Sequence, residues 1–385
     1  MTEIKGLDSG GKEREDAAED LHTVMANVDP NTEILHITGD SPTDDQWEAL
    51  GRYFTNVRYL KVFTGWDEEW IDAKFPLNWP LELLLIGDAG GERVTTPVIL
   101  EGRVKHLVLC YTYNLRFEGP TTKELMKNAE QIGFISRSEP QEAQPDGIKI
   151  YSAPHEWKKW FISKYAGKEI SLDPENPGGP VSAMRKLEIL GNDAIDMFTY
   201  IALTKFHLLA GLESLTVYSL SENDLFYTLG AFFLGLPRHL DRLRHFRLIL
   251  GSPMVSRLVQ ENEGHPFLAA LLPPNLETLQ FRGPVSMASH LEGLAAAFAD
   301  KVFLPSLKRV SLVLDLPDKT EGSKNRSKPS LDELRVAKEA CTKVLDAAAR
   351  RGVVVEQFRE PWVEEHPVLF HDVDKRWAEI EPTCY

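Results

Sequence analysis

A short pattern of hydrophobic and variable positions recurs along the chain. In residues 276–281 an apolar residue is followed by two variable positions, an apolar residue, a variable position and a third apolar residue. Nine segments follow this pattern, and their central apolar residues are Leu35, Leu60, Leu84, Leu107, Leu187, Leu215, Phe246, Leu279 and Val310. Because strand side chains alternate between two faces, each segment predicts a short strand whose central residue is buried.

The spacing of these segments predicts a repeat architecture. Neighbouring central residues are 23–25 positions apart in the N-terminal half and 28–33 positions apart in the C-terminal half, with one gap of 80 between Leu107 and Leu187. Repeats of roughly 20–50 residues are typical of solenoids, in which a short strand is followed by a helical return. We therefore predict an α/β solenoid with a curved parallel sheet on its concave face and helices on its convex face.

Other parts of the chain depart from this pattern. Residues 1–28 are polar and rich in acids, which predicts a disordered leader. The solenoid is predicted over residues 29–360 with an irregular insertion over 115–180, and residues 361–385 are predicted to cap the end of the stack. An insertion in a solenoid often projects from the binding face, and the alternative is an irregular repeat with a surface loop.

Helix signals stand between several of the predicted strands. A first helix, beginning near Asp44, is predicted by three apolar residues at helical spacing, Trp47, Leu50 and Phe54. The strongest helix is predicted over residues 331–351, from Ser330 or Asp332 to a terminating Gly352. Four tryptophans are predicted to lie in the core of the short repeats: Trp47, Trp66, Trp70 and Trp79.

Composition and charge narrow the range of partners and compartments. The 385-residue chain carries a formal net charge of −15, which argues against a nucleic-acid partner, because that affinity comes from clustered Lys and Arg. The acidic excess serves solubility or, alternatively, attracts a basic protein. Cys110, Cys341 and Cys384 are far apart and offer neither a disulfide framework nor a metal-ligand pair. With no secretion signal and no long apolar run, we expect a cytoplasmic or nuclear protein without a membrane partner.

The pattern and its period together resemble the leucine-rich-repeat proteins of fungi, many of which belong to the F-box/LRR group of ubiquitin-ligase receptors. The resemblance covers about residues 32–358 and implies a solenoid that binds proteins. The usual repeat has Asn five residues after the central Leu, and here only Asn192 matches, with Asp40 and Asp315 as substitutes. Only about thirty mostly polar residues precede the repeats, and no F-box is recognisable among them.

The residues that flank each central residue are predicted to form the concave binding face, because they point away from the core. In the N-terminal half this row is unexpectedly apolar, and we predict contact residues at Tyr59, Phe63, Leu83, Leu85 and Val108. In the C-terminal half it carries a basic strip of His245, Arg247, Arg282 and Arg309. Alternatively, the insertion folds back over the apolar part and buries it.

Candidate chemistry is confined to the margin of this apolar row. His36, Lys61 and His106 could serve acid–base chemistry or bind a small apolar ligand, although a histidine on such a face also serves as a plain contact residue. We find no nucleophile elbow, paired carboxylates or Cys/His cluster in the sequence and expect neither cofactor nor metal. The sequence favours a protein-binding scaffold over an enzyme, and the alternatives are a ubiquitin-ligase substrate receptor and an enzyme or small-ligand binder.

Overall fold

The computed structural model describes thirteen stretches of the chain: residues 2–5, 25–39, 44–64, 75–87, 97–110, 135–137, 148–150, 182–191, 208–220, 240–253, 272–318, 328–365 and 370–380. Ten further residues between these stretches are also described: 42, 194, 195, 197, 198, 201, 237, 255, 268 and 269. The chain divides into an N-terminal unit, Met1–Leu212, and a C-terminal unit, Glu213–Tyr385. Two of the four tryptophans predicted to lie in the core, Trp66 and Trp70, and most of the insertion over 115–180 lie outside the described residues.

The N-terminal unit contains eight described strands. They are β1 Thr2–Lys5, β2 Ile34–Gly39, β3 Tyr59–Thr64, β4 Leu83–Gly87, β5 His106–Cys110, β6 Ile135–Arg137, β7 Ile148–Ile150 and β8 Lys186–Leu190. Six of them form a parallel array in the order β1-β2-β3-β4-β5-β8. The remaining two, β6 and β7, form a separate antiparallel pair.

The register of this array follows the predicted central residues. Leu35, Leu60, Leu84, Leu107 and Leu187 are successive cross-strand partners, and each is completely buried. Behind them α1, Asp44–Tyr53, buries Trp47 and Leu50. The Trp79 indole N–H donates a 2.6 Å hydrogen bond to the Phe54 carbonyl, which ties the end of this helix to the next repeat. The predicted core positions of Trp47 and Trp79 are thereby confirmed.

The C-terminal unit repeats the arrangement with five parallel strands. They are β9 Ser214–Ser219, β10 His245–Leu250, β11 Thr278–Pro284, β12 Arg309–Leu316 and β13 Val354–Val355. Leu215, Phe246, Leu279 and Val310 are successive partners and are buried. Their separations in the sequence are those of the longer repeat, and the described connection between β11 and β12 contains a helix over Glu292–Ala299.

The other described helices are α2 Pro97–Leu100, a 3-10 helix over Val285–His290, α3 Glu292–Ala299, α4 Leu331–Ala349, α5 Pro361–Glu365 and α6 Lys375–Glu379. The longest, α4, begins with a capping box in which the Ser330 side chain accepts from the Glu333 N–H and the Glu333 carboxylate accepts from the Ser330 N–H. It stops before Gly352, whose φ of +86° is a conformation that side chains disfavour. The predicted start after Ser330 is confirmed, and the helix ends at Ala349, two residues before the predicted end.

A row of charged side chains lies two positions before the central residues. Its members are Glu33, Arg58, Glu82, Lys105 and Arg185 in the N-terminal unit and Glu213, Arg244, Glu277 and Lys308 in the C-terminal unit. Arg58 and Lys105 approach one carboxylate oxygen of Glu82 at 2.7 and 3.1 Å, and Arg244 and Lys308 approach Glu277 at 2.6 and 2.7 Å. Opposite charges on neighbouring strands stabilise this register.

The predicted α/β class with parallel repeat strands is therefore confirmed in both units, while the leucine-rich-repeat solenoid itself stays a prediction. At residues 2–5 the structure differs from the predicted disordered leader, because these residues form β1 beside β2. An edge strand can form through backbone hydrogen bonds alone, so its polar sequence gave no signal. None of the described helices has the length and apolar character that crossing a membrane requires.

Candidate protein-binding site

The strands of the N-terminal unit bring the predicted contact residues into neighbouring positions. We call the face opposite the central residues the outward face. Tyr59 lies beside Leu83, Lys61 lies beside Leu85, and Phe63 lies beside Gly87, each pair joining β3 to β4. Leu85 is in turn beside Val108 on β5. All five predicted apolar residues thus belong to one face of three adjacent strands.

Exposure divides this set into two groups. Tyr59, Phe63 and Leu83 are half-buried and keep part of their surface accessible. Leu85 and Val108 have no accessible surface, so the protein itself covers them. The accessible apolar surface is consequently formed by Tyr59, Phe63 and Leu83, which we call the aromatic patch.

Phe63 is held in place by its neighbours on both sides. Its ring occupies the space in which a Cβ on Gly87 would lie, with the nearest ring carbon 2.4 Å from that position. On the other side the ring makes an edge contact with the His36 imidazole at a centroid distance of 5.5 Å. Glycine at position 87 therefore lets the phenyl ring lie across the outward face of β4.

Tyr59 connects the aromatic patch to the row of charges. Its hydroxyl donates to a Glu82 carboxylate oxygen at 3.3 Å, and the Arg58 guanidinium carbon lies 5.9 Å from its ring centroid. Hydrogen bonds from Arg58 and then Lys105 lower the pKa of Glu82 to about 2. The Glu82 carboxylate is therefore charged throughout the physiological range and fixes the polar end of Tyr59.

His106 takes part in a different cluster from the one predicted. Its Nε2 lies 2.7 Å from the Glu188 carboxylate on the neighbouring strand β8, and the Lys186 ammonium lies 2.5 Å from the same oxygen. Glu188 is buried, whereas His106 keeps about a fifth of its side-chain surface exposed. A buried carboxylate with two cationic or hydrogen-bonding partners is satisfied electrostatically.

The structure does not gather the three predicted acid–base residues around one point. His36 and Lys61 are register partners on β2 and β3, but His106 lies on β5 in the row of Tyr59 and Leu83. Glu188 was not singled out from the sequence, because its contact with His106 joins residues 82 positions apart.

The predicted basic strip in the C-terminal unit has members of very different accessibility. His245 and Arg309 are exposed, while Arg247 keeps a fifth of its side-chain surface. Arg282 is only 2% exposed and cannot contact a partner on the surface. The exposed members of the strip are therefore His245 and Arg309, with Arg247 partly accessible, and the prediction for Arg282 is corrected.

Arg282 is instead the centre of a buried polar network. Its Nε and an Nη donate to the two Asp315 carboxylate oxygens at 2.7 and 2.9 Å. The guanidinium also donates to the carbonyl oxygens of His371 at 2.6 Å and Asp372 at 3.0 Å. The Asp374 N–H completes the network by donating to Asp315 at 2.7 Å. A fork of donors satisfied in this way explains why a charged side chain can be buried here.

Tyr218 adjoins this network on β9. Its ring makes an edge contact with Phe370 at a centroid distance of 5.1 Å. Burial raises the pKa of Tyr218 to about 12 against the opposing effect of the Arg282 cation, so the phenol is neutral. The hydroxyl makes no hydrogen bond of ordinary geometry within the described residues, although the His371 backbone is close enough to lower its pKa slightly.

Within the described residues, no three His, Cys, Asp or Glu side chains are grouped as a metal site would require. No protein-family model and no curated protein matches the chain. Any function assigned to the site therefore depends on its geometry.

Proposed function

We propose that the chain is a leucine-rich-repeat scaffold that binds a protein partner, and that the aromatic patch of Tyr59, Phe63 and Leu83 is the centre of its binding site. The observation that supports this proposal is the partial exposure of three large apolar side chains on two adjacent strands. Where one face of a sheet meets water, polar side chains are expected instead.

The chemistry of the patch suits a protein partner. Tyrosine and other aromatic residues supply much of the binding energy at protein interfaces, since they bury a large area at a low cost in conformational entropy. Lys61 lies on the same face between Tyr59 and Phe63 and adds a cation beside the apolar surface. The partner is accordingly expected to present apolar side chains with a carboxylate nearby.

Affinity capture from the native host tests the proposal. We expect the Tyr59→Ser/Phe63→Ser variant to lose the partners that the wild-type chain captures. The control variant Leu77→Ser/Val302→Ser should capture them, because Leu77 and Val302 are exposed apolar residues, 50% and 80% accessible, that do not belong to the aromatic patch. Both variants should keep the wild-type circular dichroism spectrum. Equal capture by all three proteins would contradict the proposal. Cullin components among the lost partners would identify a ubiquitin-ligase substrate receptor.

A second candidate function, an enzyme or small-ligand binder, is favoured by the His106–Glu188 contact. A partly exposed imidazole oriented by a buried carboxylate is an arrangement that general bases use. In a thermal-shift screen of metabolites, this function predicts a ligand that stabilises the wild-type chain and not His106→Gln. A ligand that stabilises both equally would count against the involvement of His106.

A further inference from the structure

The C-terminal segment, which we define as the described residues 356–365 and 370–380, contacts four strands of its own unit. Glu360 faces Arg247 on β10 at 3.7 Å, Phe370 packs against Tyr218 on β9, and the backbone at 371–374 bonds to Arg282 on β11 and Asp315 on β12. The contacted side chains all belong to the outward face of β9–β12. In the C-terminal unit, the chain itself therefore occupies part of the face predicted to bind a partner.

The contacts of the C-terminal segment are of the kind by which a groove holds a peptide. The Arg282 guanidinium donates hydrogen bonds to two backbone carbonyl oxygens, and every peptide has such oxygens. Selectivity comes from the Glu360 carboxylate opposite Arg247 and from the Phe370 ring, which is 1% exposed. Backbone hydrogen bonds combined with a few side-chain anchors are a recurring mode of peptide recognition.

Four buried outward side chains of β9–β12 are polar, and they lie beside the buried apolar Ile249 and Val313. Thr216, Arg282, Ser311 and Asp315 are all at most 3% exposed. The Ser311 hydroxyl makes no hydrogen bond within the described part of the chain. By contrast, the covered outward face at Leu85 and Val108 in the N-terminal unit is apolar. Interfaces that exchange partners are more polar than permanent cores, and the four polar side chains have this character.

We infer that the outward face of β9–β12 is a peptide-binding groove and that the C-terminal segment occupies it in competition with an external partner. The partner is a peptide with a carboxylate for Arg247 and an aromatic ring for Tyr218. This groove is separate from the aromatic patch of the N-terminal unit, so either assignment can fail without the other.

The inference is tested by releasing the C-terminal segment within the full chain. Phe370→Ser/Trp377→Ser removes two buried anchors of the segment and leaves the strands unchanged. A fluorescent synthetic peptide of residues 356–380 serves as the probe in anisotropy titrations. We expect it to bind the released variant at least tenfold more tightly than the wild type. Adding Arg247→Gln to the released variant should weaken binding, whereas adding Arg335→Gln, an exposed residue on α4, should not.

Equal peptide binding by the released variant and the wild type would overturn the inference. Hydrogen exchange of the wild-type chain provides a second measurement that does not depend on a variant that folds. We expect amides of residues 371–380 to exchange through local opening, faster than those of β10 and β11. Exchange of the two sets at one common rate would mark the segment as a permanent part of the core. A wild-type dimer that exchanges this segment would assign the groove to a second copy of the chain.

Discussion

At the scale of single residues, buried charge is the most consequential feature of the C-terminal unit. Two nitrogens of the Arg282 guanidinium donate hydrogen bonds to the two carboxylate oxygens of Asp315. Neither residue is more than 3% exposed. A pair of this kind contributes little net stability compared with apolar residues of the same size. Removing one partner is costly because the other is left as an uncompensated buried charge.

The expected cost of Asp315→Ala is on the order of 3–5 kcal/mol in the free energy of unfolding. The double variant Arg282→Met/Asp315→Leu should lose less, because it removes both charges and restores apolar volume. Urea denaturation of the three proteins measures the difference. If the double variant were less stable than Asp315→Ala, the hydrogen bonds of Arg282 to residues 371 and 372 would outweigh the cost of its desolvation.

Glu82 gives a pH dependence with a definite sign. Its pKa is lowered from 4.5 to about 2 by hydrogen bonds from Arg58 and Lys105. The stabilisation is therefore fully present above about pH 4.5 and is lost as the pH falls through 2. We expect the stability difference between wild type and Glu82→Gln to shrink between pH 5 and pH 2.5 in urea denaturation. The matched variant Glu339→Gln, at an exposed position on α4, should differ from the wild type by a constant amount.

At the scale of elements, local pattern predicted the strands because alternation and burial agree in each repeat. All nine predicted central residues lie in parallel strands and are at most 4% exposed. Capping signals likewise predicted α4. The contacts of the C-terminal segment were not predictable in this way, since Arg282 and the His371 carbonyl are 89 positions apart. The pairing of a buried Glu188 with His106 escaped prediction for the same reason.

The repeat strands themselves provide a test of the core. Leu84→Ala removes a completely buried side chain between two paired leucines and should cost about 2–5 kcal/mol of unfolding free energy. Leu77→Ala, at a position that is half exposed, should cost less than about 1 kcal/mol. Chemical denaturation compares them. Equal costs would mean that Leu84 does not belong to a packed core.

At the scale of the whole molecule, the two units differ in how much of the outward face of their strands is accessible. In the N-terminal unit the aromatic patch keeps part of its surface accessible, whereas in the C-terminal unit residues 356–380 contact the outward face from β9 to β12. An accessible apolar surface is costly in water unless a partner covers it. We therefore propose that constitutive partner binding takes place on the N-terminal unit.

Site-specific photo-cross-linking tests the role of the aromatic patch most directly. The photoreactive residue p-benzoylphenylalanine replaces Phe63 in one protein and the 80% exposed Val302 in another, and both are irradiated in a lysate of the native host. We predict discrete adducts from position 63 that are absent from position 302 and that disappear when unlabelled wild-type chain is added in excess. Adducts that are the same at both positions, or no adduct at position 63, would contradict a partner-binding site at the patch.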